Sequence, residues 1–395
     1  MSVLLHLVEP AAWRAALDAG AVRPPSLAEV GFVHLSRPDQ VHLPAARLYP
    51  GRRDLVLLVV DPARLTDPVR DEPGVPGDPA SMRFPHLYGP LPVTAVVAVV
   101  PWLPPRTPAL PRPDDALGRA LALQLSLPVR RSPRVDDVPG GVAVSDPRYA
   151  HSHEDNRVLL IDPVDADTVE AVVTQVATER AWPAAVATLR WPGAGPVAAA
   201  LGRRGWAVDE TLVMARTGPV PVTDDHRTEV VPQHAVHDLW RASWRHELAG
   251  RADLDDVVAD LVGREQGNDR VVAVHDVVVR EAGRVVASGQ LRVDGATASV
   301  EAVLTDPGYR GRGHAGAVLD RLLALAEGAG CDLVVLEATA DDWPRHWYAR
   351  RGFTEVGRSW TVVRPADPAR PAPRTSASPY VGRPPQVGAT TERIR

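Results

Sequence analysis

The chain has no lysine at all; its 44 basic residues are all arginine. Acidic residues outnumber them at 49, for a formal net charge of -5. That balance argues against a nucleic-acid binder held by phosphate contacts, which needs a net basic surface. Cysteine is almost absent: Cys331 stands alone, which excludes a disulfide framework and a metal cluster built on thiolates. No window approaches the ~18 consecutive apolar residues that a spanning helix requires. The opening Met1 to His6 carries neither a basic stretch nor a long apolar core of the secretory kind. The expectation is a soluble cytoplasmic protein with neither a membrane nor a nucleic-acid partner.

Proline, by contrast, is abundant and clustered, with 40 residues. A chain of 395 residues is too long for one ordinary core, so several domains are expected. Pro101 to Pro113 (PWLPPRTPALPRP) reads as a stiff, extended linker. Residues 366–395, rich in Pro, Arg, Ser and Thr, read as a disordered tail. A softer break falls at 218–225. These cuts give an N-terminal unit over 1–108, a middle unit over 115–218, a C-terminal unit over 225–365 and the tail.

The N-terminal unit predicts a strand at Val3 to Val8, a helix near Ala11 to Ala19 and buried strands at Leu55 to Val60 and Thr94 to Val100, hence a small α+β domain. The middle unit alternates strand and helix: Val158 to Ile161, Ala166 to Thr178, Ala185 to Leu189, Pro196 to Arg203 and Val208 to Arg216. The C-terminal unit opens with helices over Gln233 to Leu248 and Asp253 to Gln266. Strands follow at Val271 to Val279, Arg284 to Arg292 and Ala296 to Thr305, separated by turns at Gly283 and Asp294-Gly295. A helix over Gly313 to Gly328, a strand at Leu333 to Leu336, a helix over Asp341 to Arg350 and a final strand pair near Thr354 to Val363 complete an α/β unit.

One motif repeats. Leu201-Gly-Arg-Arg-Gly-Trp206 ends the middle unit as Tyr348-Ala-Arg-Arg-Gly-Phe353 ends the last. The middle unit therefore reads as a diverged partial copy of the C-terminal one. Where a phosphate loop would lie it has the acidic stretch Asp162 to Asp167, and where Tyr348 stands it has Leu201. Carboxylates at a helix start would repel a pyrophosphate, so this copy is expected to shape the site of the other. An unrelated α/β spacer is the rival reading.

The strongest chemical signal is Tyr309-Arg-Gly-Arg-Gly-His-Ala315, between a strand and a long helix. A loop entering a helix offers unpaired amides and the positive end of the helix dipole, and glycine lets an anion approach the backbone closely. Arg310 to Ala315 resembles the coenzyme A signature of the GNAT family of N-acetyltransferases, and Tyr348 to Phe353 resembles its second signature. The resemblance spans about Val230 to Arg364. It implies a mixed sheet splayed at the loop strand and an acetyl-CoA (acyl-CoA) cofactor. It implies backbone contacts to pantetheine from Val303 and Thr305, and pyrophosphate held by the amides of Arg310, Gly311, Arg312, Gly313, His314 and Ala315. By the same resemblance Tyr348 is the general acid and Glu301 the base, with Glu337 a weaker candidate. Asp341 stands where relatives carry Asn. Cys331 is expected to be a buried structural thiol, since no activating partner is evident.

At the other end, Gly31-Phe-Val-His-Leu-Ser36 and Phe84-Pro-His-Leu-Tyr-Gly-Pro-Leu91, with His6, Glu72 and Trp13, resemble the domain of unknown function 952 family over about Val3 to Trp102. Leu35 replaces its usual cysteine. The candidate N-terminal site is His6, His34, Ser36, Glu72, His86 and Tyr88; several imidazoles, a hydroxyl, a phenol and a carboxylate beside apolar strands suit a cleft. No histidine spacing fits a metal.

The reading that results is an N-acyltransferase that moves an acetyl or other short acyl group directly to an amine, on a small molecule or a protein. Two alternatives stand beside it: a non-catalytic acyl-CoA sensor that regulates the N-terminal domain, and an ADP-ribosyltransferase-like, NAD-handling N-terminal domain. Oligomeric state is not legible.

Overall fold

The computed structural model describes residues 2–74, 82–218 and 226–365. The expected tail and nearly all of the break at 218–225 lie outside them. Among the described residues no helix is long and apolar enough to cross a membrane.

The N-terminal unit is built on the run Leu55-Val-Leu-Leu-Val-Val60, buried at all six positions. A strand covered on both faces must be apolar throughout rather than alternate. It pairs antiparallel with Leu4–Val8 on one side and Val96–Trp102 on the other. One face holds a core around Trp13, Val56 and Leu58. The other packs Leu5, Leu57 and Val59 toward Ala122 of the helix Ala116–Arg131. A second small sheet orders Val33–His34, Arg83–Leu87 and Val69–Pro73.

The expected linker is more structured than its prolines suggest. The strand runs to Trp102, Leu103 is buried, and the segment feeds into the helix Ala116–Arg131. The sequence reading assigns no element there, because Pro128 near the end of the helix breaks the pattern that marks an uninterrupted one. The Asp115 carboxylate starts this helix by accepting from the Gly118 amide at 2.8 Å.

The middle and C-terminal units share a single eleven-stranded sheet. In the middle unit the hairpin Arg134–Val138 and Gly141–Ser145 continues antiparallel to Arg157–Leu160, which lies parallel to Ala184–Leu189. The C-terminal unit repeats this pattern: Ala273–Glu281, Arg284–Asp294 and Thr297–Thr305 run antiparallel, and the last lies parallel to Leu333–Thr339. Each unit then sends its final strand into the other. Ala207–Thr217 pairs with Leu333–Thr339, Thr354–Pro365 pairs with Ala184–Leu189, and the two travelling strands pair with each other at the centre. The final strand pair expected near Thr354 to Val363 is therefore one long strand whose partner comes from the middle unit.

The N-terminal unit docks on the turn between the strands Arg284–Asp294 and Thr297–Thr305. The Ala296 amide donates to the Val96 carbonyl at 2.8 Å, and the Trp13 indole donates to Asp294 at 2.7 Å. Asp294 also pairs with Arg130 at 2.5 Å, both side chains almost fully buried. Gly295 has φ +80°, and a β-carbon there would lie 2.4 Å from the Val96 oxygen, so the docking requires glycine.

Candidate active site

The strands Thr297–Thr305 and Leu333–Thr339 pair only over Thr297 to Ser299 with Leu333 to Val335, and then part. Beyond that point the first strand carries a bulge. Its register against Arg284–Asp294 shifts between Ser288 and Gln290, and Ala302 takes φ 53°. Such a conformation is costly for a residue with a side chain and concentrates at functional sites. Val303 and Thr305 lie on this departing stretch, with Val303 buried and the Thr305 hydroxyl oxygen buried without a hydrogen-bond partner.

The glycine loop follows. Gly311 and Gly313 have φ 78° and 81°, and open space faces both. The helix His314–Gly328 starts at Gly313 with no side-chain cap, which leaves its first-turn amides without intrahelical partners. Arg310 and Arg312 are exposed. Arg312 donates to Glu281 at 2.7 Å and lies over the Tyr309 ring at 4.9 Å. His314 is buried, with Nε2 2.8 Å from Glu281. Its ring thus anchors the loop, while its amide sits in the first turn. An uncapped helix start behind two positive-φ glycines fits a pyrophosphate.

Glu301 lies beside the bulge. Burial raises its carboxyl, and the Arg292 guanidinium at 3.9 Å opposes this, for a net rise to about 6. Tyr348 is 5 % exposed and packs edge-on against Trp347 and Phe353. Burial, and then the nearby Glu301 charge, push its phenol well above the usual range, so it holds its proton. Glu337 accepts from the Ser359 hydroxyl at 3.3 Å. Asp341 is exposed, and it is Asp342 whose carboxylate meets the Trp343 amide, at 2.7 Å. The Cys331 thiol is 3.5 Å from the Gly295 carbonyl and is pushed up to about 12 by burial, which leaves no thiolate at neutral pH.

Glu301 and Glu337 open onto a cavity of ≈ 220 Å³ between the two halves of the great sheet. Much of its wall was not foreseen from the sequence: Gln124 and Arg131 from the helix Ala116–Arg131, and Arg157 and Arg190 from the middle unit. Trp244 and Glu247 from the first C-terminal helix line it as well. Burial raises Glu247 to about 7 and, with surrounding arginines, lowers His153 to about 4. A charged residue directly after an apolar strand, as Arg190 is after Leu189, is a local signal too common to have singled it out.

Residues 234–353 match the Acetyltransferase (GNAT) family, and residues 7–99 match the family described as Protein of unknown function (DUF952). The chain joins a DUF952 domain to a GNAT domain. Within the curated proteins, a rice (Oryza sativa subsp. japonica) protein named probable glucosamine 6-phosphate N-acetyltransferase 2 is 36% identical over 98 residues, 23% of this chain. The chain spans 58% of that relative's length. Among solved structures, a GCN5-related N-acetyltransferase from Kribbella flavida is 18% identical, with a TM-score of 0.44 over 64% of this chain and 96% of that one. Protein CC0527 from Caulobacter crescentus is 32% identical, with a TM-score of 0.23 over 25% of this chain and 85% of that one.

Of the six polar residues singled out in the DUF952 domain, His34, Glu72, His86 and Tyr88 are linked by side-chain contacts, and His6 and Ser36 adjoin them through backbone groups. His6 Nδ1 is 2.8 Å from the His34 carbonyl, and Ser36 exchanges backbone hydrogen bonds of 2.8 Å with Leu5. The Tyr88 hydroxyl donates to Glu72 at 2.7 Å, and His86 Nδ1 lies 3.4 Å from the same carboxylate oxygen. Phe32 stacks on the His86 ring at 4.0 Å, with His34 edge-on at 4.9 Å. His86 is 1 % exposed. Burial lowers His6, His34 and His86 below the ordinary imidazole range, so all three favour the neutral form.

Proposed function

We propose that the GNAT domain transfers an acetyl or other short acyl group from acyl-CoA directly to a small amine. The observation that carries this reading is the parting of the strands Thr297–Thr305 and Leu333–Thr339 between an uncapped glycine loop and a cavity holding Glu301. The amides from Gly311 to Ala315 would hold the pyrophosphate, and the departing stretch from Val303 to Thr305 would line the pantetheine arm. When bound, acyl-CoA supplies an activated acyl thioester.

The residues divide the proton work. Glu301, poised near 6, is ionised at neutral pH and accepts a proton from the attacking amine. Tyr348 keeps its phenolic proton and delivers it to the departing sulfur. Cys331 takes no part: burial holds its thiol protonated, and it faces the Gly295 carbonyl at the turn on which the N-terminal unit docks. At ≈ 220 Å³ the cavity falls below the ~300–1,000 Å³ of drug-sized ligand sites, which favours a small-molecule acceptor over a protein one.

The test is calorimetric titration with acetyl-CoA of the intact protein and of Gly313→Glu. The variant places a bulky carboxylate at a positive φ in the anion cradle. Saturable binding by the intact protein and its loss in the variant is the expected pair. Equal binding by both would move the cofactor away from this loop.

A further inference from the structure

Six arginines line the cavity, and they fall into two groups. Arg131, Arg251, Arg264 and Arg292 each have a carboxylate within 4.0 Å: Asp155, Asp253, Glu154 and Glu265 respectively. Arg157 and Arg190 form no such pair among the described residues. Arg157 donates to the Thr188 hydroxyl at 3.3 Å, and Arg190 to the Gln124 amide oxygen at 2.7 Å. A guanidinium carries five N–H donors, so these two neutral contacts leave most of each fork unused. The Nε atoms of both are buried without a hydrogen-bond partner. Arg190 is 5 % exposed.

A buried cation beside a half-buried one is expensive. Burial, and then each other's charge, pull Arg157 down to about 10, and burial lowers Arg190 as well. The nearest balancing charges, Glu154, Glu337 and Glu301, act on the pair from beyond salt-bridge range. Retaining two such groups in one cavity is unfavourable unless an anion arrives to share their donors. Planar guanidinium forks match carboxylate and phosphate oxygens in geometry and charge. Both residues belong to the middle unit, outside the GNAT match over 234–353. Glu301 lines the same cavity.

We infer that Arg157 and Arg190 form an anion subsite, so that the acceptor is a small amine that also bears a carboxylate or a phosphate. The amine end faces Glu301 and the oxyanion end is held by the arginine pair. This rests on the transferase reading for its orientation, but not for the existence of the anion site. The middle unit then sets specificity: it supplies no catalytic group and selects which amines enter.

The experiment is titration of the full-length protein with inorganic phosphate and, separately, with sodium acetate, read by calorimetry and by the rise in melting temperature. Each titration is repeated in the Gly313→Glu background, where the glycine loop is blocked and any remaining anion signal belongs to the cavity. We expect saturable binding of at least one anion at ~1 mM or tighter, weakened about tenfold or more in Arg190→Gln and in Arg157→Gln, as loss of a charge-assisted hydrogen bond requires. The stronger of the two anions tells a phosphate acceptor from a carboxylate one. Two variants guard against one that fails to fold, and each is checked by its melting curve. Anion binding that is absent, or that is unchanged in both variants, overturns the inference. Acetyl-CoA binding measured on the same samples reports separately on the transferase reading. Anions held by the pair without acetyl-CoA binding would retain the subsite and remove the transfer.

Discussion

Glu301 sits where burial and a neighbouring guanidinium pull in opposite directions, and burial prevails. The charged carboxylate is the form that accepts a proton, so transfer should fail on the acid side. We expect kcat/KM to fall as pH drops through about 6 and the carboxyl becomes neutral. Glu301→Gln should remove that limb and lower the rate by ~10²–10⁴-fold. A limb near pH 6 that survives in Glu301→Gln would assign the base elsewhere, and Glu247, raised to about 7 in the same cavity, would be the next residue to test. Tyr348→Phe keeps the ring packing against Trp347 and Phe353 and removes only the proton donor. It should bind acetyl-CoA as the unaltered protein does and turn over ~10²-fold or more slowly. Full activity would end its assignment as general acid. Both residues could be singled out in the sequence because each lies in or next to a short local motif. Arg157 and Arg190 could not, because an arginine without a counter-ion is defined by what three dimensions fail to bring to it.

At the scale of elements, the glycine loop and its helix were readable because their chemistry is local. A strand end, two glycines and a helix start occupy neighbouring positions, and the unpaired amides follow from helix geometry alone. The helix Ala116–Arg131 is the opposite case. Pro128 lies inside it and a proline-rich linker precedes it, so no helix was assigned at this end of the middle unit. Tertiary burial of Ala120, Leu123 and Leu127 outweighs the proline. Gln124 and Arg131 reach the cavity from this helix. Removing its cap in Asp115→Ala should lower stability by ~0.5–2 kcal/mol, measured by urea denaturation. No loss of stability would mean that packing alone sets where this helix begins.

At the scale of the whole molecule the exchanged strands dominate. Ala207–Thr217 fills the centre of the sheet between Leu333–Thr339 and Thr354–Pro365. A chain cut to residues 226–395 would keep the GNAT match but lose that strand, opening buried edges along both neighbours. Exposed apolar edges pair with other chains. The cut chain should be aggregated by size-exclusion chromatography and lack a cooperative melt, whereas a stable monomer would show that the C-terminal unit closes without its neighbour. The sequence by itself determined the two families, the alternating elements, the glycine loop and the Tyr348–Phe353 echo, because each rests on residues close together in the chain. It also marked polar residues of the DUF952 domain, of which Glu72, His86 and Tyr88 meet at one carboxylate with the His34 ring against His86. Only the tertiary structure decided which strand lies beside which, since both travelling strands suit a sheet and nothing local names their partners. It alone decided, too, that the middle unit lends two unpaired arginines to the cavity of the other. Sheet pairing and charge balance are sums over distant residues, and a linear pattern holds the terms of those sums without their order.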